Sequence, residues 1–253
     1  VSFHHLDRWA DVPSPVTRLA PTARLLGTVA VALGSALLPV GAWPQMAALL
    51  FLVLGFVAAA RIPVSAFAAR LAGPLFFVLL ASCAVLILAP GESLWAFGPV
   101  RVTDTGLARF ASVVGRATPA LGAAVVLVST LRFPELLEAL RKLRLPSAVT
   151  AALGLSYRLL YTLADEIERL RRAARSRNAG HGAAGRRRTT MGIAAASLTR
   201  SFARSERVHR AMLARGYSGA LPTLRAQPLD TRSVAALCGV GAVVLVVVSS
   251  AYL

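Results

Sequence analysis

Residues 25–60 read LLGTVAVALGSALLPVGAWPQMAALLFLVLGFVAAA, thirty-six residues without a charge between Arg24 and Arg61. As one helix this run would extend about 54 Å, against a bilayer hydrocarbon core of about 30 Å. A single span cannot use it. Pro39-Val-Gly-Ala-Trp-Pro44 supplies a turn, so the run predicts two short spans, about 24–40 and 45–60. Outward from it, residues 71–91 and 233–253 are also uncharged and of spanning length. Residues 117–131 are uncharged but too short. A span there must start near Thr105 and carry Arg109 and Arg116, seven residues apart on one helical face. Two readings of those arginines stay open: a polar face within the protein, or side chains snorkelling towards the membrane surface.

The bulk properties agree with a membrane chain. Apolar residues make up 56% of the sequence and the mean hydropathy is +0.64, whereas soluble domains hold roughly 45–50% apolar residues even with glycine counted. The balance of 28 basic to 11 acidic residues gives +17. That charge alone suits nucleic acid or an anionic surface, but the long apolar runs decide for the bilayer. Of the 28 basic residues, 20 fall in segment 132–232. With five spans and a cytoplasmic N-terminus, that segment and Arg8, Arg18, Arg24, Arg61 and Arg70 lie inside. The uncharged turn at 41–44 and the loop 92–104, with Arg101 alone, lie outside. The positive-inside rule favours this orientation over its inverse.

The expected fold is an all-α polytopic membrane protein with about five transmembrane helices and a cytoplasmic helical segment. Its parts are 1–131 with about four spans, 132–232 in the cytoplasm, and 233–253 as the last span. The N-terminal residues, with His4, His5, Asp7, Arg8 and Asp11, do not read as a signal peptide. Cys83 and Cys238 lie in spans and form no disulfide framework or metal spacing. His4-His5 reads as a terminus and His181 as solvated in a glycine-rich loop.

Segment 132–232 is too charged to span. FPELLEALRKLRLP, residues 133–146, reads as a short amphipathic helix. Pro134 and Glu135 suit its start, Arg141, Lys142 and Arg144 its end, and Pro146 stops it. Glu138 and Lys142 form an i,i+4 pair. A long helix is expected over 147–177. Leu160, Leu163, Ile167, Leu170 and Ala174 form its packing stripe. A linker is expected from Asn178 to Arg188. A third helix follows over 191–215, with Leu198, Phe202, Ser205, His209 and Met212 on one face and His209 read as a packing histidine.

These two long helices end alike. Residues 168–178 read ERLRRAARSRN and residues 206–216 read ERVHRAMLARG. Glu168/Glu206, Arg169/Arg207, Arg172/Arg210, Ala173/Ala211 and Arg177/Arg215 are identical pairs. Each stretch closes on a small residue, an arginine, and then Asn or Gly, residues that tolerate the left-handed conformation ending a helix. Each therefore presents an arginine at a helix tip, and two like tips invite two like partners.

Catalytic signatures are missing. Gly180-His-Gly-Ala-Ala-Gly185-Arg-Arg-Arg-Thr only loosely resembles a phosphate loop, because it has no Gly-Lys-Ser/Thr ending and follows no strand. No HExxH, GxSxG or paired-cysteine motif occurs. Acidic residues are scarce in the spans, which argues against a proton-coupled carrier. The segment displays a docking surface.

The order of short paired spans, further spans, FPELLEALRKLRLP, Tyr157-Arg158, two arginine-tipped helices and a final span resembles the transmembrane T component of energy-coupling factor transporters. It is most similar to the cobalt-type, CbiQ-like subgroup. The resemblance covers most of the chain and is strongest from Phe133 to Gly219, with further likeness in His5-Leu-Asp7 and in SPVTRLAPTARLL, residues 14–26. It implies that the ATPase-coupling motifs are Ala214, Arg215 and Gly216, a full match, and Ser176, Arg177 and Asn178, which keep only the arginine. It implies two cytoplasmic ATP-binding subunits, each receiving one arginine-tipped helix, and a separate substrate-binding membrane subunit that carries the solute. The chain itself is then non-catalytic, with no cofactor or metal, in a prokaryotic cell membrane. Alternatives are a T component for nickel or vitamin uptake, a non-transport membrane scaffold, or an intramembrane enzyme, for which Arg109 and Arg116 are the sole polar constellation found in the spans.

Overall fold

The computed structural model describes residues 14–88, 93–97, 100–177, 182–219 and 230–252. His4, His5 and His181 lie outside them. The described residues form eight helices and one short hairpin. In chain order they are α1 Pro21–Leu37, α2 Trp43–Ala59, α3 Val64–Leu88, β1 Ser93–Phe97, β2 Val100–Thr103, α4 Asp104–Thr130, α5 Phe133–Lys142, α6 Ser147–Ser176, α7 Gly182–Ala214 and α8 Thr231–Ser249. The all-helical membrane class stands. The connection read as a loop over 92–104 carries the antiparallel pair β1–β2, with Trp95 opposite Val102 and Phe97 opposite Val100. Aromatic and β-branched residues of this kind favour pleated pairing.

Two compact units divide the chain. One holds the described residues from Ser14 to Ala139 and from Asp230 onward; the other holds those from Leu140 to Gly219.

In the first unit, α3, α4 and α8 are long and apolar enough to cross a bilayer, and α1 and α2 are shorter apolar helices of 17 residues each. The 25–60 run breaks as its prolines predict. Pro21 and Pro44 occupy first-turn positions of α1 and α2, where a missing N–H costs nothing. Gly41 turns the chain between them at φ +90°, a conformation that glycine adopts without a Cβ clash. Leu38, Leu49, Val53, Val126 and Val240 build the core. Helices approach closely where a side chain is missing: a Cβ on Gly115 of α4 would lie 2.7 Å from Met46 Sδ of α2. The missing side chain at Gly115 leaves room for the Met46 thioether between α2 and α4.

Polar groups tie this unit at its helix ends. Arg24 of α1 is buried and donates to the carbonyls of Leu19 and Thr130 and to Glu135 Oε2 at 3.1 Å. Arg70 of α3 donates to Ser129 Oγ at 2.6 Å. Both guanidiniums meet the C-terminal end of α4, where cations complement unpaired carbonyls. Arg116 donates to the Leu38 carbonyl just beyond α1 at 3.1 Å, so it forms part of a polar face within the protein. Arg109 is exposed. The shared face proposed for the pair therefore splits.

Arg61 and Arg144 follow α2 and α5 with φ of 54° and 65°. At each, the next residue's N–H reaches back five residues, Ile62 to Val57 at 3.3 Å and Leu145 to Leu140 at 3.2 Å. These are glycine-type helix closures occupied by arginine, at a cost of about 1–2 kcal/mol each.

Candidate functional site: two arginine-tipped helices

The second unit is built around α6 and α7. Helix α6 covers nearly all of the expected 147–177 element. Helix α7 starts at Gly182, nine residues before the expected 191, so the described part of the Asn178–Arg188 linker is helical. The run GAAGRRRTT, residues 182–190, contains two alanines and three arginines, both good helix formers, and these outweigh two glycines costing about 1 kcal/mol each.

The tips share the last helical bond and differ beyond it. In α6, the Arg177 N–H donates to the Ala173 carbonyl at 3.3 Å, and in α7 the Arg215 N–H donates to the Ala211 carbonyl at 3.2 Å. Ala173 and Ala211 are an identical pair of the repeat. At the α7 tip, Gly216 has φ +79°. The Gly216 N–H donates to the Leu213 carbonyl and the Tyr217 N–H to the Met212 carbonyl, both at 3.0 Å. This is the paired closure that satisfies a helix's last carbonyls and needs a left-handed residue after the cap. Arg215 is thus held at the cap position. At the α6 tip, Arg177 is the cap, with φ −87° and ψ 9°. The Ser176 hydroxyl donates to the Ala173 carbonyl at 3.0 Å, a bond that alanine could not make. Asn178 lies outside the described residues. Ser176, Arg177, Ala214, Arg215 and Gly216 are all exposed. Among the described residues, neither Arg177 nor Arg215 has an ion-pair partner.

Other repeated residues pair within their helices. Arg172 lies 3.9 Å from Glu168, and Arg210 lies 3.2 Å from Glu206. These equivalent i,i+4 pairs contribute a few tenths of a kcal/mol apiece. Among the described residues Arg177 and Arg215, like Arg169 and Arg207, are left without an ion pair, and of these pairs only Arg177 and Arg215 stand at the helix ends.

The helices meet at a buried carboxylate that the repeat alone did not single out. Glu166 Oε2 accepts from Arg204 at 2.9 Å, and Glu166 Oε1 accepts from Arg200 at 3.3 Å. The Glu166 side chain is 7% exposed. Glu166 and Arg204 are themselves separated by the repeat's offset of thirty-eight residues. Each lies eleven residues before its tip arginine, about 16 Å along a helix. The two arms beyond the crossing are therefore equal.

Which face of α7 is covered differs from expectation. Ser197 is buried and Ser201, Arg204 and Val208 are partly so, a period of three to four residues. The face carrying Leu198, Phe202, Ser205 and His209 is exposed, and Met212 on it is half-buried. Glu166 selects the arginine-bearing face for α6, since a buried carboxylate requires a paired cation. In α6, Leu160 of the expected stripe is exposed, while Leu163, Ile167, Leu170 and Ala174 are partly buried. Tyr157 and Tyr161 hydroxyls lie 2.8 Å apart with the rings edge to face.

The described residues thus define a polytopic helical membrane protein that also carries a pair of long, arginine-tipped helices. Residues 13–225 match the family described as CbiQ, cobalt transport protein, and the chain belongs to that family. It is 31% identical over 205 residues to the cobalt transport protein CbiQ of Rhodobacter capsulatus, covering 80% of this chain and 79% of that protein. It is 27% identical over 236 residues to the energy-coupling factor transporter transmembrane protein EcfT of Heliobacterium modesticaldum, covering 88% of each.

Proposed function

We propose that this chain couples two cytoplasmic ATP-binding subunits to a substrate-binding membrane subunit, as the T component of an energy-coupling factor transporter for cobalt uptake. One observation carries the reading: two exposed arginines cap equivalent helix ends, at equal distances from a crossing between equivalent residues. Each tip docks one ATP-binding subunit, through Ser176, Arg177 and Asn178 on one side and Ala214, Arg215 and Gly216 on the other. A guanidinium offers a planar fork to a carboxylate and backbone carbonyls, which lysine does not reproduce. ATP-driven closing and opening of those subunits moves α6 and α7. The exposed apolar residues Leu153 and Leu160 of α6 and Leu198 and Phe202 of α7 suit contact with the substrate-binding subunit. That subunit holds the solute, and this chain is non-catalytic. The N-terminus and segment 132–232 face the cytoplasm. The likeness to EcfT favours a second reading in which the same coupling serves another solute.

The test is co-purification of the ATP-binding subunits together with solute uptake, for wild type, Arg177→Ala, Arg215→Ala and the double variant at matched membrane levels. An anchoring arginine contributes ~2 kcal/mol. Each single change weakens its own attachment about thirtyfold, while the other attachment retains the complex. The double change removes both and nearly abolishes uptake. Arg→Lys rescues poorly. A double variant that assembles and transports like wild type refutes the reading.

A further inference from the structure

Away from the two tips, in the first unit, three arginines from separate segments line one cleft. Arg18 belongs to the turn 14–19 that leads into α1, Arg61 to the connection between α2 and α3, and Arg232 to the first turn of α8. Asp230 is the one carboxylate among the lining residues. All three guanidinium-bearing residues are exposed. Among the described residues none of the three has an ion-pair partner.

The cleft is a built feature rather than a scatter of surface charge. Two of its walls are fastened by residues adjoining the lining: the Ala20 N–H, next to Leu19, donates to Ser233 Oγ, next to Arg232, at 2.9 Å, joining the entry of α1 to the first turn of α8. Within the turn, Ser14 is buried, and its N–H donates to Thr17 Oγ1 at 2.8 Å. Arg61 takes a left-handed backbone at φ 54°, a position that glycine fills more comfortably. The chain thus carries a guanidinium where the backbone alone would favour no side chain at all. The three positions lie at the ends of apolar helices α1, α2 and α8. In a bilayer, the ends of spanning helices are expected where hydrocarbon gives way to headgroups, near the lipid phosphates.

We propose that Arg18, Arg61 and Arg232 form a binding site for the phosphate of an anionic phospholipid headgroup. Three guanidiniums against one carboxylate leave a net charge of +2 in the cleft, which one phosphodiester neutralises in part while accepting forked hydrogen bonds. Phosphatidylglycerol fits this chemistry. Phosphatidylcholine does not, because it brings a quaternary cation against the arginines. This site goes beyond the coupling role and does not depend on it, since none of its residues lies in α6 or α7.

The test uses the full purified chain in a neutral detergent, titrated with phosphatidylglycerol, with phosphatidylcholine of the same acyl chains, or with inorganic phosphate at matched ionic strength. Binding and melting temperature are both read. Near a membrane each arginine contributes roughly fivefold to anionic-lipid affinity. Arg18→Gln, Arg61→Gly and Arg232→Gln should each weaken phosphatidylglycerol binding about fivefold, and the triple variant about a hundredfold. Arg61→Gly should raise the lipid-free melting temperature while lowering lipid affinity, a split that a purely structural role for Arg61 would not give. The triple Arg186→Gln, Arg187→Gln, Arg188→Gln, with the same charge change on α7, should bind phosphatidylglycerol like wild type. The proposal is overturned if the cleft triple binds like wild type, if the α7 triple loses as much, or if phosphatidylcholine binds equally well. It is likewise overturned if inorganic phosphate competes at concentrations comparable to the lipid, which would make the cleft a site for a soluble anion.

Discussion

Gly216 is where backbone conformation and the proposed docking chemistry meet in one residue. Its φ of +79° lets the chain turn immediately after Arg215 while Leu213 and Met212 keep hydrogen-bonded carbonyls. Nothing lies within 4 Å of a Cβ built there, so a substitution is penalised by backbone strain and not by crowding. Gly216→Ala should therefore cost about 1 kcal/mol and Gly216→Asn less, and Gly216→Val should cost more. Thermal melting of the purified chain checks the order. Co-purification of the ATP-binding subunits should fall in the same order, because the cap fixes the direction of the arginine beside it. This much was legible: a small residue, an arginine and a helix-closing residue, written twice, mark two helix ends. The hydroxyl bond of Ser176 to Ala173 was not. Serine in that place reads as a mere size match for alanine until its second bond to the Ala173 carbonyl, beside that of the Arg177 N–H, is seen.

At the scale of the element, the crossing of α6 and α7 rests on Glu166. Replacing it with glutamine keeps the shape and removes the charge that Arg200 and Arg204 share. The Arg200 side chain is 58% exposed and adds little, whereas Arg204 is 30% exposed, so the loss should be about 1–2 kcal/mol after allowance for solvent screening. Glu166→Gln should lower ATP-binding-subunit association without touching either tip. Exchanging the partners, Glu166→Arg with Arg204→Glu, should recover part of it. A double-mutant cycle on assembly measures the coupling, and additive losses would separate the pair from the crossing. Hydrophobic periodicity located both long helices, but the α7 face it grouped around Leu198 and Phe202 is not the one turned to α6. Period gives the stripe, and a carboxylate thirty-eight residues upstream decides which stripe is turned inward. The same limit hides Arg24 and Glu135, 111 residues apart in sequence and 3.1 Å apart in space.

For the molecule as a whole, the proposed orientation of the spans rests on the distribution of basic residues. Single cysteines at Ser176 and Ser249, in a Cys83→Ala, Cys238→Ala background, should react with impermeant thiol reagents from opposite sides of the membrane. Ser176 ends α6 and Ser249 ends α8, and Ser176, Cys83 and Cys238 are all exposed. Reaction from the same side would contradict the five-span arrangement. The spans were legible because a charge-free run leaves a chain few options in lipid. Their lengths carry a consequence for the lipid itself. Helices α1 and α2 have 17 residues each, about 25 Å, while α3 and α4 have 25 and 27, about 37–40 Å. No single bilayer thickness matches both sets. Longer helices relieve their excess by tilting, and shorter ones draw the two leaflets together beside them, at fractions of a kcal/mol per Å of mismatch. A protein built this way should deform the bilayer around it, so that its energy changes with the chain length of the surrounding lipids.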